Sequence, residues 1–162
     1  MKKRFFRFFI LLLFSIALQA AFLQCQQLTI QPETGKPTVL SRADIEALPH
    51  SKVTTAAADS PVTFDVVTLK SVLERAGITF DKLSGKRLAS CLLVEAADGY
   101  RVVIALPELD PAFTDKQVFL AFSKNGKPLD EKEGPYRIVI PDEKRMARWV
   151  RQVTTLKIVD VN

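Results

Sequence analysis

Residues 134–158, GPYRIVIPDEKRMARWVRQVTTLKI, join an apolar run (136–141), a cationic knot, and a second β-rich run that continues to 159. The two runs read as strands because β-branched residues dominate them. In the knot, Lys144, Arg145, Arg148 and Arg151 fall within eight residues, and Trp149, the only tryptophan of the chain, sits among them. Cations at that density around one aromatic ring fit an anion held by charge-assisted, fork-shaped hydrogen bonds, with the ring as a wall. A solvated charged turn around a core tryptophan has the same composition.

Working outward, strand patterns recur at 27–30, 36–40, 52–55, 62–66, 87–97, 100–106, 118–123 and 127–129. Asp98-Gly99 joins two of these runs and is expected to supply both positive-φ residues of a tight hairpin turn. Asn125-Gly126 makes a second such turn. Residues 56–61, AAADSP, read as a loop of small residues, 107–111 as a short helical or irregular piece, and 130–134 as an acidic connection. Ser41 is placed to cap a helix over 42–48, with Asp44 completing a capping box and Pro49 stopping it. Thr68 caps a second helix. Leu69, Val72, Leu73 and Ala76 share one face of it, and Gly77 suits a left-handed cap. Hairpins rather than βαβ units connect the strands. The class is therefore α+β, mostly mixed or antiparallel β-sheets with a few short helices.

The start of the chain reads as an export signal. Lys2, Lys3, Arg4 and Arg7 precede an uncharged apolar run of ten residues, 8–17, and cleavage after Ala20 fits the small residues that follow. That run is half of the roughly 20 residues a spanning helix needs. Lipid attachment at Cys25 is disfavoured, since Gln24 stands where a lipoprotein signal needs a small side chain. The expected organisation is a signal peptide at 1–20, an N-terminal extension at 21–35 and one domain at 36–162. The mature chain is expected in the periplasm or otherwise exported, with no transmembrane segment.

The chain carries 23 Lys and Arg against 18 Asp and Glu; without the signal's four cations, 19 face 18. Nothing global in that balance points to nucleic acid. The imbalance is local. Residues 95–133 hold eight acids, and residues 137–157 hold six bases against Asp142 and Glu143. Cys25 and Cys91 both survive cleavage and would meet an oxidising compartment, so a disulfide and two free thiols both stay open. The lone His50 and two cysteines provide no metal-ligand spacing.

No nucleophile elbow, P-loop or dinucleotide fingerprint is present. His50, after Leu48-Pro49, suits a helix end or the surface. Asp98 is explained by its turn, and Asp130, Glu131 and Glu133 by a solvated loop. Tyr100 and Tyr136 fit half-buried sheet positions. Cys91, flanked by Leu88, Ala89, Leu92 and Leu93, fits burial.

Taken in order, GKPTVLSRADIEALP, VTFDVVTLKSVLERAGI, ADGYRVVIALPEL, FLAFSKNGKPLDEKEGPYRIVIP and RWVRQVTTLKIVDV resemble the oxidoreductase molybdopterin-binding domain, the fold of the sulfite oxidase family, in a small single-domain exported form. The resemblance covers about 36–161. It implies a molybdenum held by a pterin dithiolene and one protein cysteine, just after the strand that follows the "ALP" helix. This chain has KVTTAAA there, at 52–58, with alanines where the thiolate would stand and neither cysteine nearby. A methyl group cannot replace a soft, deprotonated sulfur. The resemblance also implies basic residues near the final strands that hold the pterin phosphate. Lys144, Arg145, Arg148 and Arg151, with Trp149, fall in that segment, so molybdopterin or another small anionic ligand is the expected partner. The alternative is a cofactor-free, non-enzymatic module for a protein partner or small ligand of the cell envelope.

Overall fold

The computed structural model describes residues 26–57, 60–81 and 83–160. The expected signal segment, its cleavage site and Cys25 lie outside them. Among the described residues, ten strands form two five-stranded sheets: β1 (Leu28–Gln31), β2 (Thr38–Leu40), β3 (His50–Ala57), β4 (Ser60–Thr68), β5 (Cys91–Ala96), β6 (Arg101–Ala105), β7 (Phe119–Lys124), β8 (Lys127–Pro128), β9 (Arg137–Val139) and β10 (Val153–Val159).

The first sheet runs β2-β1-β10-β5-β6, and the second runs β3-β4-β7-β8, with β9 also on β7. Only β1 and β10 pair in parallel among the described strands; the other pairs are antiparallel. This is the mixed and antiparallel α+β class that the sequence predicts. Two short helices, α1 (Arg42–Glu46) and α2 (Leu69–Arg75), complete the fold. No helix among the described residues is long and apolar enough to cross a membrane.

Local signals account for most boundaries. Ser41 Oγ accepts from the Asp44 amide at 3.2 Å and the Ser41 amide donates to Asp44 Oδ2 at 3.0 Å, closing the capping box. Thr68 Oγ1 accepts from the Ser71 amide at 3.2 Å, and Gly77 takes φ +89° just past α2. Leu69, Val72 and Leu73 of α2 are buried in a core that continues through Leu28, Ile30, Val94, Leu120 and Leu156. Asn125 and Gly126 both have positive φ, as a type I′ turn requires. The other hairpin differs from expectation: Gly99 alone is left-handed, while Asp98 Oδ1 accepts from the Tyr100 amide at 2.9 Å. The side chain makes the turn in place of a second positive φ.

Three runs also differ. The predicted loop over 56–61 is mostly strand, with Ala56 opposite Pro61 and Ala57 opposite Ser60. Pro61 is tolerated because Thr63, two residues on, turns its amide and carbonyl to Asn125. The missing N–H of Pro61 aims to the same side, past the end of the β4–β7 pairing at Phe64. The predicted strand over 87–97 begins only at Cys91, because Arg87 donates to the carbonyls of Thr79 (2.8 Å) and Asp81 (3.1 Å) and draws Gly85–Ala89 into a 3-10 turn. The final strand begins at Val153 rather than 150, after Met146–Arg148 forms a 3-10 turn and Gln152 takes φ +52°.

Candidate functional site

Arg137 lies in β9 between Tyr136 and Ile138, both fully buried, so the strand carries its charge inside. The register sets it opposite Ala121, on the face of the second sheet that also presents Phe64 and Val66. Its guanidinium carbon lies 5.2 Å from the Phe64 ring centre and 5.7 Å from that of Trp149. Both contacts are within cation–π range. Nη1 donates to Glu133 Oε1 at 2.7 Å. The same carboxylate accepts from Lys124 Nζ at 3.1 and 3.2 Å. Nε is buried and has no partner. Burial pushes the guanidinium below its ordinary value, Glu133 opposes that, and the nearby Arg151 charge adds to it. A guanidinium takes paired phosphate or carboxylate oxygens along such an edge.

Arg148 is placed differently. Its Nε donates to Glu143 Oε1 at 2.6 Å, and its terminal nitrogens reach Glu108 at 3.3 to 3.4 Å. Burial alone would lower its pKa, but the hydrogen bonds to Glu143 and then Glu108 outweigh it and raise the value. Two carboxylates thus already occupy the arginine that the sequence places nearest the tryptophan.

Trp149 is buried, and its Nε1 donates to the Ile140 carbonyl at 3.0 Å. Its ring packs on the Arg137 guanidinium, and the residue also lines a cavity of about 260 Å³ with Arg151, Tyr100, Met146 and Asp98. Tyr100 Oη donates to the Ala147 carbonyl at 2.8 Å and fixes the knot against the β5–β6 hairpin. Lys144 and Arg145 are exposed and do not line that cavity. His50 is at the surface, edge-on to Phe122, with Nδ1 3.2 Å from the Leu48 carbonyl.

Thr55 lies in β3 just before Ala56 and Ala57. Its hydroxyl is buried and, like Arg137 Nε, has no partner. The only thiol among the described residues, Cys91, is half-buried in β5 of the first sheet, where burial and then Asp160 push its pKa up. No group of three or more His, Cys, Asp and Glu among the described residues is arranged to hold a metal. Sequence reasoning passed over Arg137, Thr55 and Lys124. A cation inside the apolar run 136–141 was the available signal for the first.

A family model described as the oxidoreductase molybdopterin binding domain matches residues 55–162. No curated protein matches the chain. Among solved structures, the sulfane dehydrogenase SoxCD from Paracoccus pantotrophus is similar in fold, with a TM-score of 0.64 at 22% identity over 85% of this chain. The match spans 39% of the SoxCD chain.

Proposed function

Because the chain belongs to the oxidoreductase molybdopterin binding domain family, we propose that it binds an anionic, phosphorylated pterin-type ligand beside Arg137 and Trp149, without ligating molybdenum through a protein thiolate. The observation that carries this reading is the buried Arg137 guanidinium, held between two aromatic rings with its Nε unpartnered. A buried donor left unmade costs about 1–3 kcal/mol, a cost that a bound anion removes.

The family implies molybdopterin, and the residues present fit it in part. Arg137 suits the phosphate and the Trp149 wall suits a flat ring. The metal half does not fit, because Ala56, Ala57 and Ala58 follow Thr55 where a soft ligand is needed. No step is therefore assigned to a metal. Arg151, at the outer cavity, adds positive potential near the same wall, and Lys144 and Arg145 extend it at the surface. Export to the periplasm through the segment 1–20 is part of this reading.

The engagement of Arg148 by Glu108 and Glu143 favours a second reading, a cofactor-free envelope module that docks a protein partner. The deciding measurement is the molybdenum and pterin content of the mature protein, purified from an exporting host in molybdate-replete medium. Pterin without molybdenum is expected. Stoichiometric molybdenum overturns the metal-free reading. Neither metal nor pterin, together with no binding of an added pterin phosphate, favours the docking module.

A further inference from the structure

The hydrogen bonds at the two ends of the β5–β6 ladder fix which way each β6 residue turns its backbone. The Ala96 amide donates to the Tyr100 carbonyl at 2.9 Å, and the Leu106 amide donates to the Ser90 carbonyl at 3.1 Å. Antiparallel bonding alternates along a strand, so Tyr100, Val102, Ile104 and Leu106 face β5. Arg101, Val103 and Ala105 turn their N–H and C=O groups the other way. β6 ends the first sheet, and no described strand pairs with that edge. Ala105 N–H donates to Glu108 Oε1 at 3.2 Å, which closes the edge at its far end. The outward groups of Arg101 and Val103 meet no described residue.

Open strand edges recruit other strands, and proteins blunt them with charged and polar side chains. The outer edge of β3 shows this: its exposed side chains, at His50, Ser51, Lys52 and Thr54, are all polar. The β6 edge is apolar at its centre, where Val103 is 53% exposed. Tyr100 and Met146, each about half exposed, lie together at its start, where Tyr100 Oη reaches the Ala147 carbonyl. These are three of the six large apolar residues exposed among the described ones. Cations frame the same end on both faces of the sheet. Arg101 shares the solvent face with Val103 and stands 4.0 Å from Glu95, its nearest carboxylate. On the opposite face, Tyr100 lines the cavity of about 260 Å³ with Arg151, and Asp98, the one acid of that cavity, is engaged by the Tyr100 amide.

We propose that the outer edge of β6 docks an extended acidic segment of a partner protein as an added antiparallel strand. Main-chain bonds to Arg101 and Val103 hold it, an apolar side chain packs beside Val103, and carboxylates on alternate faces meet Arg101 and Arg151. This docking needs no ligand at Arg137.

The probe is the acetylated, amidated peptide Val-Thr-Val-Glu-Glu, added to the full mature chain. Antiparallel to β6, its central valine opposes Val103 and its last glutamate opposes Arg101. Amide exchange is read residue by residue by NMR, and oligomeric state by sedimentation. The chain alone should be monomeric, with fast exchange at Arg101 and Val103. Saturating peptide should slow both at least about tenfold. A Val-Thr-Val-Lys-Lys peptide should bind at least about tenfold more weakly, and so should the acidic peptide N-methylated at its central valine, which loses its donor to Val103. Val103→Pro removes an outward N–H where an edge strand tolerates proline, and should weaken the acidic peptide by a similar factor. If that variant does not fold, the N-methylated peptide makes the same test on the parent. No protection at Arg101 and Val103, protection at Lys52 and Thr54 instead, or equal binding of the acidic and basic peptides overturns the proposal. So does a dimer whose Arg101 and Val103 amides are protected without peptide, since a second copy then covers the edge.

Discussion

Arg137 and Arg148 stand in one short segment and differ in everything the fold supplies. Arg137 is buried, stacked on two rings, and shares one carboxylate with Lys124. Arg148 is partly exposed and carries two carboxylates to itself. One guanidinium is short of partners and the other is saturated. The difference separates cation density along a chain from donor availability in the fold: on the reading proposed here, the anion goes to the cation left with an open donor.

The largest effect is expected from Arg137→Ala. It leaves Glu133 partly buried with Lys124 as its remaining cation, and unfolding by denaturant should show a loss of about 3–5 kcal/mol with binding of pterin phosphate abolished. Unchanged binding in a folded variant would break the comparison. Next is a saturated charge on the opposite face of the same sheet. Asp65 accepts hydrogen bonds from Lys52 and Ser123, which hold its carboxyl below the ordinary range. A depressed folded-state pKa contributes stability at neutral pH that is lost as pH falls below about 4. Asp65→Asn should lose about 1.5–3 kcal/mol at pH 7 and flatten that acid-side decline in melting temperature.

Trp149→Phe keeps a ring over Arg137 and removes the donor to the Ile140 carbonyl. A loss of about 1 kcal/mol in denaturant unfolding is expected, with weakened but measurable ligand binding. The smallest effect is expected from Arg148→Ala, at or below about 1 kcal/mol for a partly exposed pair, with pterin phosphate affinity held within twofold. A tenfold loss there would move the anion from Arg137 to the knot.

Much of the fold was legible because its signals are local. A capping box, a helix cap at Thr68 and an Asn-Gly turn each operate over two to four residues, and each appears in the structure. The run 56–61 was misread because its small residues look like a loop, whereas its pairing is dictated by Thr54 and Thr63 outside it. The site was less legible for the same reason at longer range. Glu108, which engages Arg148, is forty residues away, and the Phe64 ring under Arg137 is further still. Burial of Thr55 is likewise a product of tertiary packing, which no neighbouring residue announces.

The placement of β10 between β1 and β5 has a kinetic consequence. The β1–β2 and β5–β6 hairpins have no contact through the ladder until Val153–Val159 inserts between them. A ribosome-bound chain that stops short of Val153 holds two half-sheets, each with an unpaired inner edge. Such edges recruit other strands, so truncated or stalled chains should aggregate. Joining segments so distant in sequence also slows the search for the native pairing. The last strand therefore acts as a keystone, and the time between synthesis and its insertion is the interval in which the chain stays open to other strands.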